Sequence, residues 1–498
     1  MVARVEEPES ADLVVLGGGI CGLAAAEEAT RLGASVVVVE KDDTVGGLLR
    51  TDRREGFCFD RGGHRFITSV PWVLDRVTQL LGERLLVRER NSFVFLDGTR
   101  VAYPLDLHDL VERLGWKKNV RALGSYLWSA WRHRRRPETT LEDWLRRRFG
   151  DYLYGAVFEG YSEKLWGVHP RQISAEWAPQ RISIPHLGGF LRELVVPSRR
   201  PPRTYARRYL YPRTGIGEIA DAFRDAAIDG GARLWTNSRA QSIARTASGW
   251  EFELSTPDGV RTLHAPRLLS TIPLPALASA VVSPTFPPLP TLSFRGLRFL
   301  NLAFDHEIPV DATWIYHPDR RSRFTRVQVP AARSPWMVPE GCGSVQLEEP
   351  IHLEKPRHVN LESADDRPST WEAGIEDARE TIRATLGVDS EPRFAFEVEE
   401  PCAYPVYRPG VREAVADWVR HVERDPTLRT AGRQGSFSYL FFDRAIVEGV
   451  QAGRALLGAP PLAGPTEDTR PVPIEAASIA GAERRRRSTS AGSRNYTQ

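Results

Sequence analysis

Residues 12–40 leave this chain little choice of architecture. "DLVVLGGG" is an apolar strand running into a glycine turn, "CGLAAAEEATRLG" has the composition of a buried helix, and "ASVVVVE" is a second strand ending on an acid. Strand, helix and strand in so few residues form a parallel βαβ unit, because two parallel strands need a crossover and the helix is the crossover. Gly17, Gly19 and Gly22 make GxGxxG at the first turn, and Glu40 closes the second strand. The glycines allow a tight turn, close approach of backbone to a pyrophosphate and close helix packing, while the helix N-terminus faces the phosphates and the acid accepts ribose hydroxyls. Glycines alone are weak evidence; strand, helix and acid in the right order make dinucleotide binding the expectation.

With 498 residues the chain has length for two or three domains. Hydrophobic residues at 41% and charged residues at 26% are those of a globular protein. A net charge of +3 gives no electrostatic case for nucleic acid. Cations are almost all arginine, 62 against 5 lysines, and guanidinium forks suit anions. Cys21, Cys58, Cys342 and Cys402 are scattered without a ligand-spaced cluster, so neither a metal site nor a disulfide framework is expected, and a reducing cytoplasm fits. No signal peptide or bilayer-spanning run is legible; the longest apolar run, 268–282, holds two prolines. Peripheral membrane contact stays open, and the oligomeric state is not legible.

The pattern divides the chain into a discontinuous nucleotide domain (12–68 with 205–275 and 428–458), a helical insert (69–204), a β-rich substrate domain (276–427) and a disordered tail (459–498) rich in Pro, Ser, Gly and Arg. The "RRRR" at 484–487 reads first as solvated charge in that tail, with binding of anions or acidic lipid the alternative.

Beyond Glu40 the sequence continues "EKDDTVGGLLRT", placing Gly46, Gly47 and Arg50 soon after the second strand. This continuation resembles flavoproteins of the protoporphyrinogen oxidase, amine oxidase and UDP-galactopyranose mutase group. The resemblance covers 12 to about 457 and implies FAD rather than NAD. It implies a Rossmann-type FAD-binding domain of the GR2-like α/β fold, with an inserted helical cap and a mixed β-sheet substrate domain.

The remaining candidate residues follow from the same resemblance. "FDRGGHRFIT" stands where mutase-like members carry a glycine-histidine motif beside the flavin, which implies a flavin contact for Gly63 and His64; a structural turn and direct proton transfer stay open for the histidine. "GYSEKLWG" followed by Arg181 is similar to the mutase signature at a substrate-facing helix, so Trp166 would stack on a planar ring and Arg181 would meet a phosphate or carboxylate. The alternative is a helix-packing tryptophan beside a Glu163–Lys164 surface pair. "RFTRV" makes Arg326 the match to an active-site arginine. "AGRQGSFSYLFFDRAI" supplies Gly432, Arg433 and Asp443 at the flavin end of FAD and Tyr439 at a diphosphate.

Pro185 and Phe437 stand where the mutases have an arginine and a tyrosine. The expected function is therefore FAD-dependent oxidation of a small molecule, an amine, alcohol or sugar-derived compound, in which the flavin carries the hard chemistry. A redox-neutral nucleotide-sugar mutase is the alternative, and a flavin-binding scaffold a minor one.

Overall fold

A computed structural model describes residues 9–96, 98–103, 120–129, 131–132, 137–178, 208–282, 286–352, 371–464 and 472. Arg181, Pro185 and the expected tail apart from 459–464 and 472 lie outside these residues.

The two expected strands, Leu13–Leu16 and Val36–Val39, are buried on both faces and pair in parallel. Arg233–Trp235 joins on one side, and Leu268–Ser270 and Leu428–Thr430 on the other, giving a five-stranded parallel sheet. Parallel sheets need cover on both faces, which explains the unbroken apolar runs. The helix Ile20–Arg31 is buried except at Arg31, and Phe442–Leu456 packs across it. That contact demands glycine: a Cβ on Gly449 would stand 2.0 Å from the Cys21 carbonyl oxygen. A second sheet, Arg239–Thr246, Gly249–Thr256 and Gly259–Ala265 with short edges Glu9–Ser10 and Val281–Val282, lies beside it.

The third sheet has seven strands, in the order Phe394–Pro405, Phe294–Phe304, Gly343–His352, Arg326–Gln328, Trp314–Tyr316, Ser92–Leu96 and Thr99–Ala102. Its faces differ because side chains alternate along a strand. Leu300, Leu302, Ile315, Val327, Val345 and Leu347 point to one side and pack with Ala378, Ile382 and Leu386 of the helix Trp371–Leu386. The other side carries two cross-strand rows, Trp314, Gln328, Gln346 and Asn301, then Tyr316, Arg326, Glu348 and Phe299. A buried polar and aromatic face is expensive unless it is internally bonded or lines a site.

The stretch 69–204 is not helical throughout. It contributes Ser92–Leu96 and Thr99–Ala102 to the seven-stranded sheet, and Leu85–Glu89 pairs with Arg208–Pro212. Its helical part includes Leu141–Leu153, whose capping box joins Thr140 and Asp143, and Glu159–Trp166 beyond a π-turn.

Candidate functional site

The first glycine turn forms an open cradle. Gly17 has φ +101°, and a Cβ there would meet the Thr271 hydroxyl at 2.5 Å; on Gly22 it would meet the Gly17 carbonyl at 2.0 Å. Around a Cβ on Gly19, by contrast, nothing lies within 4 Å, and at Gly47 the nearest atom is Gly19 Cα at 3.5 Å. Gly46 N donates to Gly18 O at 2.8 Å, which holds the second glycine turn against the first. The helix Ile20–Arg31 begins here with no side-chain cap and no acid in its first turn, so its leading N–H groups point into the gap.

Glu40 is buried, and its two carboxylate oxygens accept from the Gly18 N–H at 2.7 Å and the Asp42 N–H at 3.0 Å. Each oxygen keeps a lone pair for a hydroxyl. Gly18, the middle glycine, thus ties the acid to the turn. Arg50 is committed elsewhere: its guanidinium pairs with Asp42 at 2.8 Å and bonds the carbonyls of Thr44 and Val45, which fixes the loop.

The C-terminal turn joins this cradle. Gly432, at φ +81°, would place a Cβ 2.9 Å from Cys21 Sγ, and its N–H donates to Glu448 at 2.9 Å. The helices Gly432–Gly435 and Phe442–Leu456 both start without a side-chain cap. Asp443 is buried in the first turn of the latter. Arg433 bonds the carbonyls of Ala403 and Leu440, and its guanidinium lies 4.9 Å above the Tyr439 ring. Tyr439 stacks on Tyr404 at 5.2 Å and 15°.

"RGGH" lies on the polar face of the seven-stranded sheet. Gly62, at φ +108°, sits over Glu348 and Phe299; a Cβ on Gly63 would fall 2.4 Å from an Arg326 Nη. His64 Nε2 is 3.2 Å from the Arg61 carbonyl, which can only accept, so Nε2 carries the proton and Nδ1 is a bare acceptor. Burial, with the positive charges of Arg433, Arg333 and Arg326 nearby, pushes the His64 pKa down to about 3. The imidazole is neutral near pH 7, which disfavours the proton-transfer role.

Three guanidiniums surround Trp314: Arg65 at 3.6 Å from its ring centroid, Arg326 at 5.6 Å and Arg333 at 5.8 Å. Arg326 pairs with Glu348 at 3.2 Å and Arg333 with the buried Asp60 at 3.4 Å. Asp60 also accepts from Thr51, Tyr211 and the Ile216 N–H, which ties the sheet to the nucleotide domain. Arg65 has no carboxylate in ion-pair range among the described residues. One of its Nη atoms reaches Ser92 Oγ at 3.1 Å, and its Nε is buried without an acceptor. Burial and the neighbouring Arg90 draw its pKa down to about 9, the mark of a cation short of counter-charge.

The "GYSEKLWG" segment divides differently from expectation. Trp166 is 1% exposed and packs against Tyr404 and Tyr439 at 6.0 and 6.3 Å, so it backs these rings and does not present a free stacking face. Glu163 and Lys164 form no pair with each other. Glu163 bonds Arg320 at 3.0 Å, and buried Lys164 directs Nζ at the carbonyls of His317, Asp319, Ser322 and Phe324, 2.6–3.1 Å away. Those carbonyls belong to the loop between the Trp314 and Arg326 strands.

The structure thus gathers Gly17, Gly19, Gly22, Glu40, Gly46, Gly47 and Gly432 at one cradle, and Gly63, His64 and Arg326 on the sheet face. Sequence reasoning passed over Arg65, Trp314, Tyr316, Glu348 and Tyr404. The alternation in "ATWIYHP" and "SVQLEE" carried a signal, but which strands pair was not in it.

The open cradle with uncapped helix ends, the bonded acid and the glycine pair fit a dinucleotide whose ring system reaches the sheet. Comparison with known proteins agrees. A family described as flavin containing amine oxidoreductase matches residues 20–303. Protoporphyrinogen oxidase 1, chloroplastic, of Spinacia oleracea is 26% identical over 340 residues, 63% of this chain and 57% of that protein. Coproporphyrinogen III oxidase of Propionibacterium freudenreichii subsp. freudenreichii is 48% identical over 68 residues, 14% of this chain and 13% of its own. Reduced UDP-galactopyranose mutase superposes with TM-score 0.76 at 24% identity, covering 91% of this chain and 96% of that structure, which shows a shared fold. The chain spans 57% of the length of the spinach relative.

Proposed function

This chain belongs to the flavin containing amine oxidoreductase family, and from that premise we propose that it is an FAD-dependent oxidoreductase whose small-molecule substrate carries an acidic group. Arg65 carries the second half of the proposal: a guanidinium held on Trp314, with a buried donor unmet and, among the described residues, no carboxylate beside it, is completed by an anion. An amine, alcohol or sugar-derived acid meets that requirement.

FAD would be held by the Gly17–Gly22 turn and the helix end behind it at its diphosphate, by Glu40 at its ribose, and by Gly62, Gly63 and His64 at its ring system. Bound there, the flavin supplies a two-electron acceptor for the C–N, C–O or C–C bond being oxidised. The protein's own residues orient and exclude. Arg65 and Arg326 fix the acidic end of the substrate, Tyr316, Tyr404 and Tyr439 wall the site against water, and neutral His64 offers Nδ1 as an acceptor without donating a proton.

The experiment is an anaerobic titration of FAD-loaded protein with amines, alcohols and sugar derivatives in acid-bearing and neutral forms. Bleaching of oxidised flavin by an acid-bearing compound is expected. Replacing Arg65 by leucine should raise KM for that compound roughly 10- to 100-fold, about 1.5–3 kcal/mol for a charged hydrogen bond, with FAD retention intact. Equal response to neutral analogues would overturn the acidic substrate. A mutase reading draws on Tyr439 and Arg326; it would be selected by pyranose-to-furanose conversion of a nucleotide sugar with dithionite-reduced protein alone.

A further inference from the structure

The helix that contains residues 120–129 and 131–132 is packed the opposite way from an ordinary amphipathic helix. Serines face the protein: Ser125 Oγ accepts the Tyr152 N–H at 2.9 Å, and Ser129, fully buried, donates to the Arg146 carbonyl at 2.9 Å. Tyr126 backbone lies so close to Gly150 that a Cβ there would be 2.7 Å away. The outer side carries Val120, Leu123, Leu127 and Trp131, spaced i, i+3, i+7 and i+11, with Trp128 adjoining. They are 65, 46, 59, 71 and 56% exposed in that order, and the two indoles lie 5.4 Å apart. A helix that belongs only to its own domain buries such a stripe. A stripe left outside marks a docking surface.

Charge identifies the partner. From residue 113 to 137 the sequence has eight Arg or Lys and no Asp or Glu, and Arg121 and Arg132 are exposed along the stripe. We propose that this helix lies on anionic lipid, with Trp128 and Trp131 at the headgroup boundary and Arg121 and Arg132 on phosphates. Tryptophan at an interface and a basic polar margin are the recognised composition of helices that lie in the membrane plane. A second copy is disfavoured, because a two-fold contact would set one basic segment against the other. Among the described residues no helix is long and apolar enough to cross a bilayer, so the contact is with one leaflet's surface.

The test uses the full FAD-loaded chain and co-sedimentation with vesicles of phosphatidylcholine alone or mixed with phosphatidylglycerol. Sedimentation with the mixed vesicles, a blue shift of tryptophan emission and loss of both in high salt are expected. The double variant Trp128→Ser/Trp131→Ser should bind at least tenfold more weakly while keeping its flavin spectrum and its turnover of a soluble substrate, since neither residue touches the site. Arg121→Glu/Arg132→Glu should weaken binding to the mixed vesicles alone. No sedimentation, equal binding to both vesicles, or binding indifferent to the tryptophan change would overturn the proposal. So would a wild-type dimer that the tryptophan variant turns into monomers.

Discussion

At the residue scale, glycines with identical side chains do different work. At Gly22 an alanine must displace the carbonyl of Gly17 from 2.0 Å, which in a packed helix-turn contact cannot happen without moving the turn. At Gly19 the same methyl meets nothing, and φ −71° suits alanine. Gly19→Ala should therefore leave the apoprotein Tm within about 2 °C, an effect within ~0.5 kcal/mol, yet weaken FAD binding at least tenfold. Gly22→Ala should lower Tm itself. Thermal melts of flavin-free protein and an FAD titration separate the two, and unaltered FAD affinity in Gly19→Ala would show that the open space is not the cofactor's.

His64 makes a second residue-scale prediction. Its folded pKa, about 3, lies below the ordinary 6.5, so between those values the unfolded chain holds a proton that the folded chain lacks. Stability contributed by the neutral imidazole is complete above pH 6.5 and falls as pH drops towards 3. Apoprotein Tm should decline across this window, and His64→Gln, which cannot titrate, should decline less steeply. Parallel curves would mean that His64 keeps an ordinary pKa.

At the scale of elements, one lysine governs a loop. Lys164, on Glu159–Trp166, gathers four carbonyls of 317–324, and this loop sets the spacing between Trp314–Tyr316 and Arg326–Gln328. Burial draws its pKa down to about 7, while four acceptors around three N–H groups favour the ammonium. Lys164→Met keeps the chain length and removes the donors. Buried carbonyls left without a partner should cost about 2 kcal/mol or more, and the loosened loop should lower kcat more than KM by releasing Arg326. An unchanged kcat in a folded variant would confine Lys164 to stability.

At the scale of the whole molecule, the nucleotide sheet takes strands from both ends of the chain, with Leu13–Leu16 beside Leu268–Ser270 and that beside Leu428–Thr430. The seven-stranded sheet reaches back to Ser92–Leu96. Among the described residues, the stretch expected to be a helical cap is part helix and part sheet edge. Each unit is closed by residues from another, and Asp60, with Tyr211 and Arg333, is the polar bolt through the join. Burial raises that carboxyl's pKa despite its partners, so the network is sensitive to loss of any one member.

The dinucleotide cradle was legible in the sequence because it is local. Gly17 to Glu40 act through turns and a helix end within some 25 residues, where chain geometry dictates position. Family resemblance extended this to FAD and to the glycine-histidine pair. The substrate side depended on pairing between strands more than 200 residues apart: Ser92 beside Trp314, and Arg65 over that same indole. Period-two alternation marks which residues share a face of one strand but not which strand lies next to it. The same limit applies to Trp166 and Lys164, which a local motif marked as significant and only the packing of sheet, loop and helix showed to be buried supports. The sequence by itself determined the cradle, the acid and the cofactor they suit. Tertiary structure alone decided which guanidinium lacks a carboxylate among the described residues and which helix turns its tryptophans outward, because counter-charge and exposure are properties of neighbours.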